Sequence, residues 1–216
     1  NVNNDPFTLQ APNYDILFDS PIEIGTQDVF GFDAVGVKYE VARCLGGNYD
    51  KERLKKDLKD IVEREAAIYG ENPNKRYVFI VHNTSRGGGG LEHLSSTVLG
   101  ASRENYASER GYQGFLSLVA HEHFHLWNVK RIRPQSLEPI DYTKENYTRA
   151  LWFSEGVDSA VSEYMLVRAG LADQQTFLER LAGQIHTLQI RPARSTQSVE
   201  ESSLDAWLEG YPYYRA

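Results

Sequence analysis

The chain has 216 residues, 41% of them hydrophobic, which suffices to bury the core of one large domain or of two lobes. Its formal net charge of -7 argues against a nucleic-acid partner, and no apolar run approaches the ~20 residues that a membrane span needs. The single cysteine excludes a disulfide within the chain and a zinc site built from cysteines.

The first third of the chain is predicted to contain two strands and a helix. Residues up to about Gly36 combine Asn, Asp and Pro with short apolar runs, which is typical of extended segments and turns, so we expect a leading segment over residues 1–36. The alternating pattern of GVKYEVARCL predicts a strand, and RYVFIVHN predicts a buried one. Between them Asp50 can cap a helix with the apolar stripe Leu54, Leu58, Ile61 and Val62.

A glycine-rich loop follows the second strand. Arg86 precedes four glycines, Gly87 to Gly90, which can adopt unusual backbone angles. The next residues, LEHLSSTVL, resume an extended pattern that fits an edge strand.

The remaining half is predicted to be helical. One helix starts near Gly111, carries the segment HEHFH and cannot run past Pro134. Strands followed by helices predict an α+β fold, with an N-terminal mixed-sheet lobe and then a mainly helical lobe. The further predicted helices cover residues 149–168, ending at Gly170, residues 173–190, and a short helix capped by Ser198 with Glu201 as its capping-box partner.

The HEHFH segment predicts a metal site. His121 and His125 are four residues apart, so on a helix they share one face. Zinc binds histidine nitrogens and carboxylate oxygens, and Glu122 can accept a proton from a water that the metal activates. His123 points elsewhere and is not a predicted ligand. The apolar surroundings favour a metal over histidines that merely pack or face solvent, because buried imidazoles need partners.

A carboxylate on the next helix is the predicted third ligand. Glu155 lies in the apolar segment LWFSEGVDSA, where an unpaired carboxylate would be costly, although pairing with an arginine is an alternative. A metzincin site is excluded, because Asn128 and Arg131 stand where that pattern has Gly and His. Asp158, one turn further on, could orient a ligand histidine or could be a solvated acid.

Three collinear segments carry a family resemblance, within matches that span about residues 13–209. The three segments are GGLEH at Gly89 to His93, HEHFHLWNVKRIRP at His121 to Pro134, and LWFSEG at Leu151 to Gly156. With these segments the chain resembles the glycyl aminopeptidase family of zinc metallopeptidases, which are thermolysin-like gluzincins. The resemblance implies a thermolysin-like catalytic domain over residues 37–216, with zinc on His121, His125 and Glu155 and with Glu122 as general base.

The same resemblance gives Glu92 a substrate-binding role. GGLEH is similar to the GxMEN loop of the related aminopeptidase N family, whose Glu binds the free α-amine of the substrate. A carboxylate on a glycine-rich edge can pair with an ammonium group, while the strand backbone around Gly90 holds the peptide extended. The alternative is that Glu92 is a surface acid after a flexible loop, and a contact of His93 with the substrate stays open.

The implied function is a zinc aminopeptidase that acts on peptides with a free N-terminus and prefers Gly or Ala there. Two alternatives remain: a zinc endopeptidase on the same scaffold, and a non-catalytic, metal-stabilised peptide-binding fragment. Family members stabilise the oxyanion with a Tyr in a segment like YYxKG. Here the chain ends in YPYYRA, so neither Tyr213 nor Tyr214 is followed by Lys-Gly, and we expect that Tyr beyond residue 216 of an incomplete chain. Oligomeric state is not predicted.

Overall fold

The computed structural model describes residue 5 and residues 7–209. The five described strands form one mixed sheet and all lie before the helix Glu109–Phe124, while the chain from that helix onward is helical, which confirms the predicted α+β fold. The strands are β1 (Asp28–Ala34), β2 (Val37–Cys44), β3 (Arg76–Thr84), β4 (Gly90–Glu92) and β5 (Ser96–Ser102). The helices are α1 (Tyr14–Phe18), α2 (Lys51–Tyr69), α3 (Glu109–Phe124), α4 (Leu151–Arg168), α5 (Gln174–Ile190), α6 (Val199–Leu204) and α7 (Ala206–Glu209), with short 3-10 helices at Arg103–Ala107, Gln135–Leu137 and Pro192–Ser195.

The sheet has the strand order β1-β2-β3-β5-β4. The central pairs β2–β3 and β3–β5 are parallel, whereas β1–β2 and β4–β5 are antiparallel. Helix α2 makes the crossover between the parallel strands β2 and β3. Strand β4 therefore lies at one edge of the sheet, directly before the turn that leads into β5.

Helix α3 lies at the centre of the fold. It contacts α2, the strands β4 and β5, and α4, so it joins the sheet to the helical half. The sheet presents buried side chains in register beneath the helices, among them the pairs Tyr39–Tyr77 and Val81–Leu99. The predicted apolar stripe of α2 is buried as expected, with Leu54, Leu58, Ile61 and Val62 each at most 2% exposed.

The helix ends follow the predicted capping signals. Asp50 accepts a hydrogen bond from the Arg53 N–H at 3.0 Å at the start of α2. Ser198 and Glu201 form the expected capping box at the start of α6. Helix α3 begins two residues before Gly111, because Ser108 caps it. None of the helices in the described ranges is both long enough and apolar enough to cross a membrane.

Two sequence expectations differ from the structure. Residues 91–99 are not one edge strand: the turn after Glu92 separates β4 from β5, and β5 is an internal strand between β3 and β4. The carboxylate of Asp19 fixes this turn by accepting the Leu94 N–H at 2.7 Å. In the segment before Gly36, Asn13 caps the short helix α1, and β1 pairs along its length with β2. The predicted boundary at residues 36 and 37 thus falls in the β1–β2 turn.

Candidate metal centre

Two helices bring the three predicted metal ligands together. His121 lies in the last turn of α3, and His125 follows its end with helical backbone angles, so the two side chains remain one turn apart. Glu155 comes from α4, one turn after its start. The Nε2 atoms of His121 and His125 are 3.1 Å apart, and Glu155 Oε2 lies 3.2 Å from the first and 3.6 Å from the second.

These separations fit a zinc ion held by three protein ligands. Zinc bonds of ~2.0–2.2 Å in tetrahedral geometry place neighbouring ligand atoms about 3.3–3.5 Å apart. The two Nε2 atoms face each other, and without a metal at most one of them can donate a hydrogen bond to the other. A cation between them can instead accept the lone pair of each nitrogen. Two neutral nitrogens and one carboxylate are also the donor types that zinc prefers in catalytic sites. The residues present therefore fit the metal.

The Nδ1 side of the His125 ring contacts α4 and the loop after α3. Its Nδ1 lies 2.5 Å from Asp158 Oδ2 and 2.7 Å from the carbonyl oxygen of Asn128. The Asn128 amide in turn donates to Asp158 Oδ1 at 2.5 Å and to the Ser154 carbonyl. Because Asp158 is fully buried, it is not the solvated acid of the alternative reading. An Nδ1–H that points at these oxygens leaves Nε2 free to bind a metal.

The carboxylates concentrate negative potential at the two histidines. Burial alone raises the pKa of Glu155, but hydrogen bonds from His121 and His125 outweigh it and lower the pKa to about 2. Burial alone lowers the pKa of His125, but Asp158 and Glu155 outweigh it and raise the pKa. Such a site attracts a positive charge, which a divalent cation would supply.

Glu155 is less buried than the sequence argument assumed. Its side chain is 52% exposed, so burial desolvates the carboxylate only in part. His121 is also partly exposed, at 18%, whereas His125 is buried. Glu155 contacts the two histidines and has no arginine partner among the described residues, which removes the ion-pair alternative. The exposed side of the centre faces solvent along Glu155, where a substrate can approach.

Glu122 lies beside the ligands and against the backbone of β4. Its side chain is 5% exposed, and its Oε2 has no hydrogen-bond partner within the described chain. Burial raises the pKa of Glu122 to about 7, and the charges of His125 and His121 offset burial only in part. A Cβ atom at Gly90 would lie 2.6 Å from the Glu122 carboxyl carbon, so only glycine allows this close approach. A buried carboxylate oxygen that has no hydrogen-bond partner in the protein can accept a hydrogen bond from a bound molecule.

Glu92 reaches the same centre from the sheet edge. Its carboxylate, the Glu122 carboxylate and a ring nitrogen of His125 lie within 4.8 Å of one another. Glu92 is half-buried and has no hydrogen-bond or ion-pair partner among residues 7–209. Glu92 is therefore not a surface acid after a flexible loop: it lies at the end of β4, beside the candidate metal ligands.

His93 belongs to a hydrogen-bond network around the Asp19 carboxylate. It is 7% exposed, and its Nδ1 lies 3.2 Å from Asp19 Oδ1. The same Asp19 oxygen accepts from Lys130 Nζ at 2.7 Å. Asp19 thereby ties the β4–β5 turn to the loop after α3. The contact with Asp19 positions this turn, and a substrate contact of His93 stays a prediction.

Beneath the metal face of α3, His123 belongs to a buried polar chain. Its Nδ1 lies 2.5 Å from Glu65 Oε2 and its Nε2 lies 3.2 Å from the Tyr39 hydroxyl, which accepts from the Asn72 amide. Burial raises the pKa of Glu65 well above its usual value and lowers the pKa of His123 to about 3. Burial thus favours the uncharged form of both groups, and the two ring nitrogens of His123 contact Glu65 and Tyr39 rather than the candidate metal ligands.

We expect Glu65→Gln to flatten the pH dependence of stability in the metal-free chain. The folded pKa of Glu65 is raised, so wild type loses stability as pH rises from the usual carboxyl pKa toward the folded pKa. Glutamine cannot ionise, so the variant does not undergo this loss. As pH rises, the unfolding free energy of the variant minus that of wild type should therefore increase by up to about 1.4 kcal/mol per pH unit. Urea unfolding between about pH 5 and pH 8 measures this change.

Glu63→Gln is the matched control, because Glu63 lies on the same helix but is exposed. It should leave the pH profile of wild type unchanged. A Glu65→Gln chain whose difference from wild type does not vary with pH would show that Glu65 is already ionised in the folded state.

Three residues of this region were not identified from the sequence. Asn128, Asp19 and Glu65 support the centre or its neighbouring turn through contacts with residues 30, 74 and 58 positions away. No local pattern marks them, because periodicity indicates which face is buried but not what lies against it. Tyr213 and Tyr214 lie outside the described residues.

Known proteins share both the sequence pattern and the fold. Residues 114–215 match the M61 glycyl aminopeptidase family. The crystal structure of an aminopeptidase N family protein from Idiomarina loihiensis matches with a TM-score of 0.89 and 36% identity, over 93% of this chain and 35% of that one. The chain thus spans about a third of that protein's length.

A more distant similarity is to an M1 zinc metallopeptidase from Deinococcus radiodurans, whose structure was determined with a Tyr-Ser-Ala substrate. It covers 82% of this chain and 36% of that one, with 17% identity and a TM-score of 0.45, which is too low to support an argument. Among curated proteins, no significant match was found.

Proposed function

We propose, on the premise that this chain belongs to the M61 glycyl aminopeptidase family of peptidases, that it carries the catalytic centre of a zinc-dependent aminopeptidase. The observation that supports this most is the convergence of His121, His125 and Glu155 with two further carboxylates, Glu122 and Glu92. The two histidines and Glu155 suit a metal. Glu122 can then serve in proton transfer, and Glu92 can bind an amine.

Zinc would be held by His121 Nε2, His125 Nε2 and Glu155 Oε2, with Asp158 and Asn128 fixing the His125 ring. When bound there, zinc supplies a Lewis acid for the scissile carbonyl and for the attacking water. Glu122 is the acid–base group nearest to this metal position, because it follows His121 in sequence and its carboxylate lies within 4.8 Å of a ring nitrogen of His125.

Glu122 is the proposed general base. Its unpartnered Oε2 can accept a proton from the attacking water and then donate it to the leaving amine. Its raised pKa suits both steps, because a group that titrates near neutral pH can take up and release a proton there. The glycine at position 90 lets the β4 backbone lie directly over the carboxyl group, which fixes its position relative to a peptide on that strand.

Glu92 is the proposed anchor for the substrate's α-ammonium group. It has no internal partner, and it lies close to Glu122 and His125, so an amine bound there would sit next to the reacting carbonyl. The edge strand β4 can pair with an extended peptide backbone, which positions the first peptide bond. Removal of one residue at a time follows from this anchoring. The preference for Gly or Ala rests on the family resemblance alone.

We expect Glu92→Gln to lower kcat/KM for peptides with a free N-terminus by about 10–100-fold, because a charge-assisted hydrogen bond to the ammonium is lost. The same substitution should have little effect on the slow hydrolysis of N-acetylated peptides, which have no ammonium to bind. Steady-state kinetics on each peptide in both forms measures the two effects. Equal cleavage of free and acetylated peptides by wild type would instead favour an endopeptidase on this scaffold.

A further inference from the structure

A second group of metal-binding side chains lies on the outer face of the sheet, opposite the buried core. Cys44 ends β2, and its partner in register on the parallel strand β3 is His82. Successive side chains of a strand point to opposite faces, so these two point away from the core that Val41 and Val81 enter. Glu23, from the segment between α1 and β1, completes the group. One ligand atom of each of the three residues lies within 4.8 Å of the other two.

Hydrogen bonds hold these three side chains close together. Glu23 Oε2 lies 3.0 Å from His82 Nε2, and Cys44 Sγ lies 3.7 Å from the carbonyl oxygen of Val81. The hydrogen bond from His82 lowers the pKa of Glu23, so this carboxylate is ionised at neutral pH. Burial and the Glu23 carboxylate raise the pKa of the Cys44 thiol, so the thiol keeps its proton there. The Glu23 and His82 side chains are 26% and 38% exposed, so an ion from solvent can reach them.

The mixture of donor atoms indicates a class of ion. An ion pair at a protein surface needs only the carboxylate and the imidazole, whereas the thiol adds a third kind of metal ligand. Sulfur and imidazole nitrogen together suit Zn²⁺, while Mg²⁺ and Ca²⁺ prefer oxygen ligands alone. Ligand atoms around tetrahedral zinc lie about 3.3–3.7 Å apart. Small side-chain rotations therefore suffice to bring the three ligand atoms onto one ion.

We propose that Glu23, Cys44 and His82 form a second metal site, which binds one Zn²⁺ ion through a carboxylate oxygen, the sulfur and an imidazole nitrogen. Water takes the fourth tetrahedral position. Binding replaces the thiol proton with the metal, and the proton passes to solvent, so zinc binds more tightly as pH rises. The second metal site shares no residue with the candidate metal centre, so the inference goes beyond the proposed function and does not depend on it.

Zinc in the second metal site would fasten the leading segment to the sheet. Glu23 belongs to that segment, whereas the other two ligands belong to neighbouring strands. Asp19, four residues before Glu23, accepts a hydrogen bond from the Leu94 N–H and so fixes the β4–β5 turn next to Glu92. The role of the bound ion is therefore structural, because it holds the segment that supports this turn.

Absorption spectroscopy with Co²⁺ tests the inference. Co²⁺ can replace Zn²⁺, and a thiolate ligand gives it an intense charge-transfer band in the near ultraviolet. Cys44 is the single cysteine of the chain, so this band reports on the second metal site alone. We expect the band to saturate as Co²⁺ is added and to disappear when Zn²⁺ follows. His82→Asn and Glu23→Gln should each weaken Co²⁺ binding at this site by at least about tenfold, because each removes a ligand.

Glu40→Gln is the matched control, because Glu40 lies on the same face of β2 as Cys44 but pairs with Arg76 at 2.6 Å. It should leave the Co²⁺ affinity unchanged. If His82→Asn does not fold, Glu23→Gln alone decides the test, because Glu23 lies outside the sheet. A chain that shows no band with excess Co²⁺ would overturn the inference, as would a band whose Co²⁺ affinity is unchanged in the folded ligand variants.

Discussion

Glu122→Gln is expected to reduce peptide hydrolysis by ~10²–10⁴-fold while zinc stays bound. Glutamine has nearly the shape of the carboxyl group but cannot take a proton from water. The substitution should therefore lower the rate of hydrolysis without changing zinc binding. The three proposed ligands keep their contacts, since Glu122 is not among them. Metal analysis of the purified variant, beside kcat/KM for amino-acid anilides, measures both parts of the expectation.

Glu122→Asp is the informative companion variant. It retains a carboxylate but moves it by one methylene away from the reacting atoms, so its activity should lie between those of wild type and Glu122→Gln. Full activity in Glu122→Gln would remove Glu122 from the mechanism. Loss of zinc together with activity would mean that Glu122 contributes to the metal site instead.

Glu155→Gln is expected to weaken zinc binding by more than about 100-fold. Residues that only orient ligands cost ~10–100-fold in metal affinity when replaced, and a charged ligand contributes more than they do. The neutral amide also removes the negative charge that faces both histidines, 3.2 Å from His121 and 3.6 Å from His125. Titration against a competing chelator gives the affinity, and the rise of Tm with added zinc should shrink in parallel.

Glu163→Gln, on the same helix, is the control. Glu163 pairs with Arg180 at 2.7 Å and contacts Ser117, so its replacement should change stability but leave zinc affinity alone. Unchanged zinc affinity in Glu155→Gln would assign the third ligand elsewhere. Glu92 would then be the first candidate, because its carboxylate also lies close to His125.

The local features of the site were predictable from the sequence. The spacing of His121 and His125 places them on one face of a helix, since this depends on helix geometry alone. The caps at Asp50 and Ser198 were predictable for the same reason. Glu155 follows as the candidate third ligand from the burial argument and from the resemblance, and its side chain is 52% exposed, which is more than the burial argument assumed.

The supporting contacts were not predictable. Lys130 forms a hydrogen bond with Asp19, 111 residues earlier in the sequence, and His123 forms one with Tyr39, 84 residues earlier. Such pairs depend on how α3 packs over the sheet and against the N-terminal segment, which a single sequence does not specify. The turn between β4 and β5 was not predictable, because residues 91–99 contain no Gly or Pro to mark it and the Asp19 carboxylate that stabilises it lies 75 residues away from Leu94.

The edge position of β4 also bears on self-association. An open strand edge can recruit any extended chain, including another copy of the same molecule, and long flat edges promote aggregation for that reason. Here the edge strand is three residues long and is followed at once by a turn that begins at the buried His93. Such an edge offers only a few main-chain hydrogen bonds. A strand edge this short is a poor template for edge-to-edge pairing between copies of this chain.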